Sequence, residues 1–293
     1  MLLWLTIGII SGNLNFESLI SITTSASFLI VPAIGQMLVI TSGRGSIDLS
    51  IPGVITLSAF LTTGIINGEN TNIINGLAII LAMGATVGFF NSLLILKARI
   101  PPIIATLGMG YILTTAILFY NRDFAVFKTA PFFLTLTRDR LFSVPYVVYL
   151  VIILTVFVSY VLRNTKYGRS LIATGQNIDS AKMSGVNVFR IQVMTYAFSG
   201  MLAGAFLSAR VGGAFLGMGD PYLLETVGSV VVGGTPIFGG KATPTGTFFG
   251  GLFLVLLVTV LQIAGYQIGT QYMIKGLLLL LVVIIASKSM QSV

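Results

Sequence analysis

The chain contains no cysteine and no histidine among its 293 residues. Disulfides, thiol chemistry, haem ligation and histidine-held metals are therefore excluded, and so is the commonest general base. Charge is scarce as well: only 8% of residues are Asp, Glu, Lys or Arg, and the eight acidic residues are scattered singly. No close carboxylate pair suggests a metal or acid–base site, so the chain is expected to do no covalent chemistry of its own. Water-soluble domains carry about 25% charged residues. With 55% hydrophobic residues and a mean hydropathy of +1.00, this chain cannot cover a globule with polar surface, and lipid must face much of it.

The net charge of +8 and a pI near 9.8 admit a nucleic-acid reading. The basic residues argue against it, because they lie in short loops between apolar stretches rather than on one patch. Such a bias orients membrane proteins instead.

Apolar runs bounded by polar or Gly/Pro breaks occur at Leu19–Thr41, Ile51–Ile66, Ile73–Leu96, Ile103–Tyr120, Pro145–Leu162, Ile191–Ala209, Tyr222–Val232, Thr245–Ala264 and Tyr272–Ala286. None alternates apolar with polar as a barrel strand would, and open sheet edges cannot sit in lipid. Met1–Ile10 is apolar but shorter than the roughly 20 residues needed to span. It has no preceding Lys or Arg and no small-residue cleavage site, which argues against a signal peptide, so it reads as a first helix cut short. The expectation is an all-α integral membrane protein, a polytopic bundle of nine or ten transmembrane helices forming one domain over residues 1–293. No sequence repeat is visible.

If every segment crosses, one side receives Arg44, Lys97, Arg99, Arg163, Lys166, Arg169, Lys182, Arg190, Lys241 and Lys288. The other receives Arg122, Lys128, Arg138, Arg140, Arg210 and Lys275. The richer side is read as cytoplasmic, with both chain ends there.

Arg163–Arg190 reads RNTKYGRSLIATGQNIDSAKMSGVNVFR. It is polar, with helix-like pieces expected to break near Gly175 and Gly185. Ile172, Ala173 and Ala181 supply a small apolar face, and Asn177 is suited to cap a short helix ending before Gly185. A short helix beneath the membrane suits docking into a groove on a soluble partner; an ordinary connecting loop is the plainer alternative. The segment resembles the coupling loop of ribose/galactose-type permeases, with Gly168, Arg169, Ala173, Gly175, Asn177, Ala181, Ser184 and Gly185 in register. Farther on, VVVGGTPIFGGKATPTGTFFGG is similar to that family's glycine-rich stretch at Gly233, Gly234, Thr235, Gly239, Gly240, Gly246 and Thr247. Upstream, Ser46–Ser50 (SIDLS) resembles its GIDLS signature. Two departures bear on the solute: Arg44 is added within TSGRGSIDLS, and Pro52 replaces a small residue.

The resemblance implies a permease subunit of a binding-protein-dependent ABC importer in the bacterial inner membrane. Its solute would be a sugar or sugar-like: a pentose, hexose, furanose, sugar-like signal or nucleoside. It further implies a separate ATP-binding subunit carrying ATP and magnesium, an external solute-binding protein, and a second permease, identical or related. Nucleic acid is not an expected partner. Ala173, Gly175, Asn177, Ala181, Ser184 and Gly185 would couple to the ATPase.

Arg44 and Asp48 fall between two apolar runs, where an isolated charge costs about 2.5–3.5 kcal/mol at membrane centre. They read either as interface residues setting orientation or, with Gly233, Gly234 and Thr235, as part of a gate or pathway. The glycine-rich stretch is not a phosphate loop. Counting back from Lys241, Thr235 stands where the first glycine belongs, and Ala242 occupies the hydroxyl position. Gly84/Gly88, Gly200/Gly204 and Gly246/Gly250 are small pairs four apart, expected to pack helices within the subunit. Phe124, Phe127, Phe132 and Phe133 suggest interfacial anchoring. An ion-coupled secondary transporter is the alternative class. It would need a buried ionisable residue, for which Glu225 and Lys275 are the best candidates.

Overall fold

Nearly every hydropathy break in the sequence is a helix break. The computed structural model describes residues 15–66, 68–121, 130–204 and 213–291 together with Trp4 and Thr6, with side chains as far as 284. Its helices are α1 (Phe16–Thr41), α2 (Ile51–Ile66), α3 (Ile73–Leu96), α4 (Pro102–Tyr120), α5 (Pro131–Arg138), α6 (Tyr146–Asn164), α7 (Lys166–Gln176), α8 (Ile178–Met183), α9 (Val188–Ala203), α10 (Tyr222–Val232), α11 (Pro244–Ile263) and α12 (Ile268–Gln291). The truncated first helix expected at Met1–Ile10 lies outside the described residues, apart from Trp4 and Thr6. So do Arg122, Asp123, Phe124, Phe127, Lys128 and Arg210.

Local chemistry sets the boundaries. Proline opens α4, α5 and α11, where its missing N–H costs nothing and its fixed φ suits a first turn. Between α5 and α6 a two-residue antiparallel hairpin pairs Arg140 with Pro145 and Leu141 with Val144. Phe142 and Ser143 both take positive φ there, as the tight primed turn requires.

Among the described residues five helices are long and apolar enough to cross a membrane: α1, α3 with its leading 3-10 turn, α4, α6 and α11. Ile51–Ile66 and Tyr222–Val232 are helices with the expected bounds but do not span alone. At 1.5 Å per residue they are about 24 and 16 Å long, against a hydrocarbon core of about 30 Å. They are short elements held inside the bundle. The protein is an all-α polytopic membrane protein.

Helix α1 is the axle. From Ala26 to Thr41 every residue is buried, and α6, α9, α10 and α11 all pack against it. Helices α3 and α4 instead turn Ile74, Phe90, Ile104, Tyr111 and Phe119 outward, an apolar rim that suits lipid.

The small pairs pack inside the subunit, as expected. A Cβ on Gly84 would strike the Gly200 carbonyl, one on Gly88 the Tyr196 carbonyl, and one on Gly250 the Ser229 carbonyl. Phe133 departs from expectation. It is 1% exposed and joins the main core, because α5 lies back against α6, whereas Phe132 stays exposed.

At the end of the bundle where α1 begins, Glu17 pairs with Arg140 at 3.9 Å, and the Phe132 N–H donates to Asn70 Oδ1 at 3.0 Å. The opposite end carries α7, α8 and the turns described next.

Candidate functional site

Helix α1 stops where Gly43, Arg44 and Gly45 take positive φ in succession. This left-handed run, open to glycine but strained for Arg44, reverses the chain and projects Arg44 outward. The chain then re-enters the protein. Asp48 is 3% exposed, and its carboxylate accepts hydrogen bonds from the Ser50 hydroxyl (2.6 Å), the Ser50 N–H (3.0 Å) and the Ser199 hydroxyl (3.1 Å). The Asp48 N–H donates to Gln36 Oε1, and Asn91 Nδ2 donates to Ser50 Oγ. Burial pushes the Asp48 carboxyl up from its ordinary range, and the bonds from Ser50 and Ser199 pull it back. Arg44 and Asp48, read above either as interface residues or as part of a gate or pathway, have different surroundings: Arg44 is exposed, and Asp48 is a buried staple joining α1, α2, α3 and α9.

The glycine-rich turn between α10 and α11 is built for close packing. Gly234 takes φ +83°, and bonds from Gly234 N to Val231 O and from Thr235 N to Val230 O close α10 in a Schellman motif. Thr235 is 1% exposed, its hydroxyl 2.6 Å from that of Thr243, which itself donates to the Gly233 carbonyl. A side chain on Gly233 would collide with the Gly246 backbone. Gly233 and Thr235 thus fix the α10–α11 corner.

In the basic loop the helix runs through Gly175 and breaks at Asn177, two residues later than expected. Asn177 Oδ1 accepts from the N–H groups of Asp179 and Ser180, capping α8 as its sequence suggested. Gly185, at φ +79°, closes α8 with bonds from Gly185 N to Lys182 O and Val186 N to Ala181 O. The apolar face expected to dock a partner points elsewhere. Ala181, Ile178 and Val188 form a buried cluster against Ala173 and Val186, because a hairpin of two short helices needs a core of its own. What α8 offers to solvent is Asp179, Lys182, Ser184, Gly185 and Met183, the last 90% exposed.

The basic loop and the glycine-rich stretch meet the end of α1 at one point, beside the turn that leads into Ser46–Ser50. The Gly240 N–H donates to the Thr41 carbonyl at 3.0 Å, and Gln176 Nε2 donates to the Gly240 carbonyl at 3.3 Å. A Cβ on Gly175 would run into the Thr41 carbonyl, one on Gly43 would lie 2.8 Å from the Gly175 carbonyl, and one on Gly239 would lie 2.5 Å from Gly43 Cα. Backbone therefore rests on backbone among the end of α1, the end of α7 and the glycine-rich turn. The same packing fills the space a phosphate cradle would need: Gly239 abuts Gly43 and Gly240 abuts Gln176. These glycines do not fit a nucleotide.

Two cavities flank residues 215–223. One of about 330 Å³ is lined by Pro52, Thr56, Tyr111, Thr114 and Asp220. The other, about 500 Å³, lies among α1, α10 and α11 and includes Glu225. Glu225 Oε1 is 2.7 Å from Lys275 Nζ, the two side chains only 15% and 10% exposed, and Lys275 also sits 4.6 Å over the Tyr272 ring. The two candidates for ion coupling neutralise each other, a pairing across fifty positions that no local pattern announces. Asp48 lines neither cavity.

Residues 18–283 match the family described as branched-chain amino acid transport system / permease component. The chain is 31% identical over 282 residues to the ribose import permease protein RbsC of Escherichia coli (strain K12), covering 94% of this chain and 87% of that one. Against the fructose import permease protein FrcC of Rhizobium meliloti it is 29% identical, with 95% and 80% covered. Against the autoinducer 2 import system permease protein LsrC of Yersinia pseudotuberculosis (strain YPIII) it is 28% identical, with 95% and 80% covered. No solved structure matches. A polytopic helical bundle whose three signature segments converge on one end, matched to this family over nearly its whole length, belongs to the permease-component family that includes the ribose-type import permeases.

Proposed function

We propose that the chain is the membrane-spanning permease subunit of an ATP-driven, binding-protein-dependent importer for a sugar or sugar-like solute. The observation that carries this reading is the α7–α8 hairpin. It is capped at both ends of α8, exposes Met183 at its tip, and is keyed by Gly175 to both α1 and the α10–α11 turn. A soluble two-state partner gripping Met183 and its polar neighbours would move those helices with it, which is what coupling requires.

In this reading Asn177, Ser184 and Gly185 shape the docking tip. Ala173 and Ala181 hold the hairpin together, and Gly175 transmits. ATP and magnesium belong to the partner ATPase, an external binding protein delivers solute, and a second permease, identical or sister, completes the path. The α7–α8 end faces the cytoplasm of the bacterial cell, consistent with its excess of Lys and Arg. The family description names branched-chain amino acids, whereas the relatives import ribose, fructose and autoinducer 2. The individual relatives are the nearer guide, and they favour a polyhydroxylated solute.

The test is purification in mild detergent from the native host, partner identification by mass, and uptake in liposomes. A stoichiometric ATPase and ATP-dependent uptake support the reading. A chain that transports alone under an ion gradient, without ATP, overturns it in favour of a secondary transporter.

A further inference from the structure

From the cavity among α1, α10 and α11 we infer a solute site that takes a neutral polyhydroxylated molecule at the Glu225 carboxylate. The inference rests on the reading of the chain as a solute permease and goes on to assign the residues. The cavity holds about 500 Å³, within the size range of small-molecule sites, and is lined by Ser25, Tyr222, Glu225, Thr259 and Gln262 with Phe215 beside them.

Its chemistry is selective. A carboxylate inside a helical bundle is costly unless paired, and Lys275 supplies the pairing from behind. Lys275 reaches Oε1 at 2.7 Å but does not itself line the cavity. Among the described residues no protein hydrogen bond is made to Oε2, which leaves one oxygen of this cavity-wall residue open to accept from a ligand while the positive partner sits over the Tyr272 ring. An acceptor-only oxygen, an amide and hydroxyls beside two aromatic rings suit alcohol groups carried on a carbon framework. An anion would meet the carboxylate directly. A cation would find its charge already compensated. The 430 Å³ cavity between α6 and α9 makes the contrast: it is lined by Val31, Leu154, Phe157, Tyr167, Phe198 and others, with almost no polar surface.

The absence of native cysteine makes the test direct. Thr259→Cys and Gln262→Cys, made separately in the full chain in its membrane, should react with a hydrophilic methanethiosulfonate. Leu281→Cys on the outward face of α12 should not. D-Ribose, D-fructose and ribitol are then titrated as protecting solutes, with ribonate as the charged control. At least one neutral solute should slow labelling and ribonate should not. Glu225→Gln should raise the protecting concentration about 10- to 100-fold, the effect of losing a charge-assisted hydrogen bond.

The exchange Glu225→Lys with Lys275→Glu restores the ion pair and assembly but puts the carboxylate outside the cavity, so the protecting concentration should stay raised. Protection regained in that double variant would show that the pair serves only the fold. Failure of both cavity cysteines to react, or protection by none of the neutral solutes, would overturn the site. Uptake driven by ATP is scored separately: uptake without protection leaves the permease reading intact and sinks this one, and protection without ATP-driven uptake does the opposite.

Discussion

Replacing Gly175 with alanine inserts one methyl group at the point where α1, α7 and the glycine-rich turn touch. The new carbon would meet the Thr41 carbonyl and lie 2.5 Å from Gly240 N and 3.0 Å from Gly240 Cα. All three are backbone atoms, so no side chain can swing aside. Overpacking of this kind costs about 1–3 kcal/mol. Parting these segments also endangers the Gly240 N–H bond to Thr41, worth about 0.5–1.5 kcal/mol. Alanine's better helix propensity returns at most about 1 kcal/mol, and less in a last turn. The net loss is about 0.5–4.5 kcal/mol, roughly 1–18 °C in melting temperature by the scale of soluble domains. The assay compares membrane insertion, melting in detergent and ATP-dependent uptake. Insertion should persist, because no apolar run changes, whereas melting and uptake should both fall. Gly276→Ala is the control: nothing lies within 4 Å of a Cβ there, in the middle of α12, and neither property should drop. A Gly175→Ala protein with wild-type melting and wild-type uptake would refute the junction as a mechanical link.

Met183→Glu should leave melting unchanged, because the side chain is 90% exposed, while co-purification of the ATPase falls at least severalfold. Gly185→Ala at φ +79° should cost about 1 kcal/mol by left-handed strain, with Gly185→Asn milder, read by hydrogen exchange of α8. Asn177→Ala removes the acceptor for two N–H groups and should cost about 1 kcal/mol, seen as faster proteolysis between α7 and α8. Asp48→Ala should be the most damaging of the set, about 3 kcal/mol or more, since it strands Ser50, Ser199 and their neighbours without an acceptor; near-normal expression and melting would contradict its role as a staple.

Patterns confined to neighbours in sequence were legible. Ile51–Ile66 and Tyr222–Val232 could be read from their apolar length, Asn177 as a cap from its chemistry, and the Gly84/Gly88 pair from small-residue spacing. Contacts between distant positions were not. Nothing local says that Gly175 will touch Thr41, since a glycine chosen for absent volume looks like one chosen for flexibility. Asp48 and Arg44 share one break between apolar runs, yet three positive φ values aim one outward while hydrogen bonds with three neighbours, Gln36, Ser50 and Ser199, hold the other inside. Ala181 could be identified as apolar, but not as facing the hairpin's own small core rather than a partner.

The burial of α1 on every side from Ala26 to Thr41 carries a consequence for biogenesis. It leaves the ribosome ahead of every other spanning helix among the described residues, and it is the least apolar of the five, at a mean hydropathy of 1.6. Ser27, Gln36 and Thr41 are buried, and α6, α9, α10 and α11, which pack against α1, are all made later. The far end of α11 is translated more than two hundred residues afterwards, roughly 10–45 s at about 5–20 residues per second. Through that interval the segment must be held with its polar side chains facing lipid, the insertion machinery or early neighbours. The bundle cannot be built outward helix by helix. It closes late, around an element that was waiting from the start.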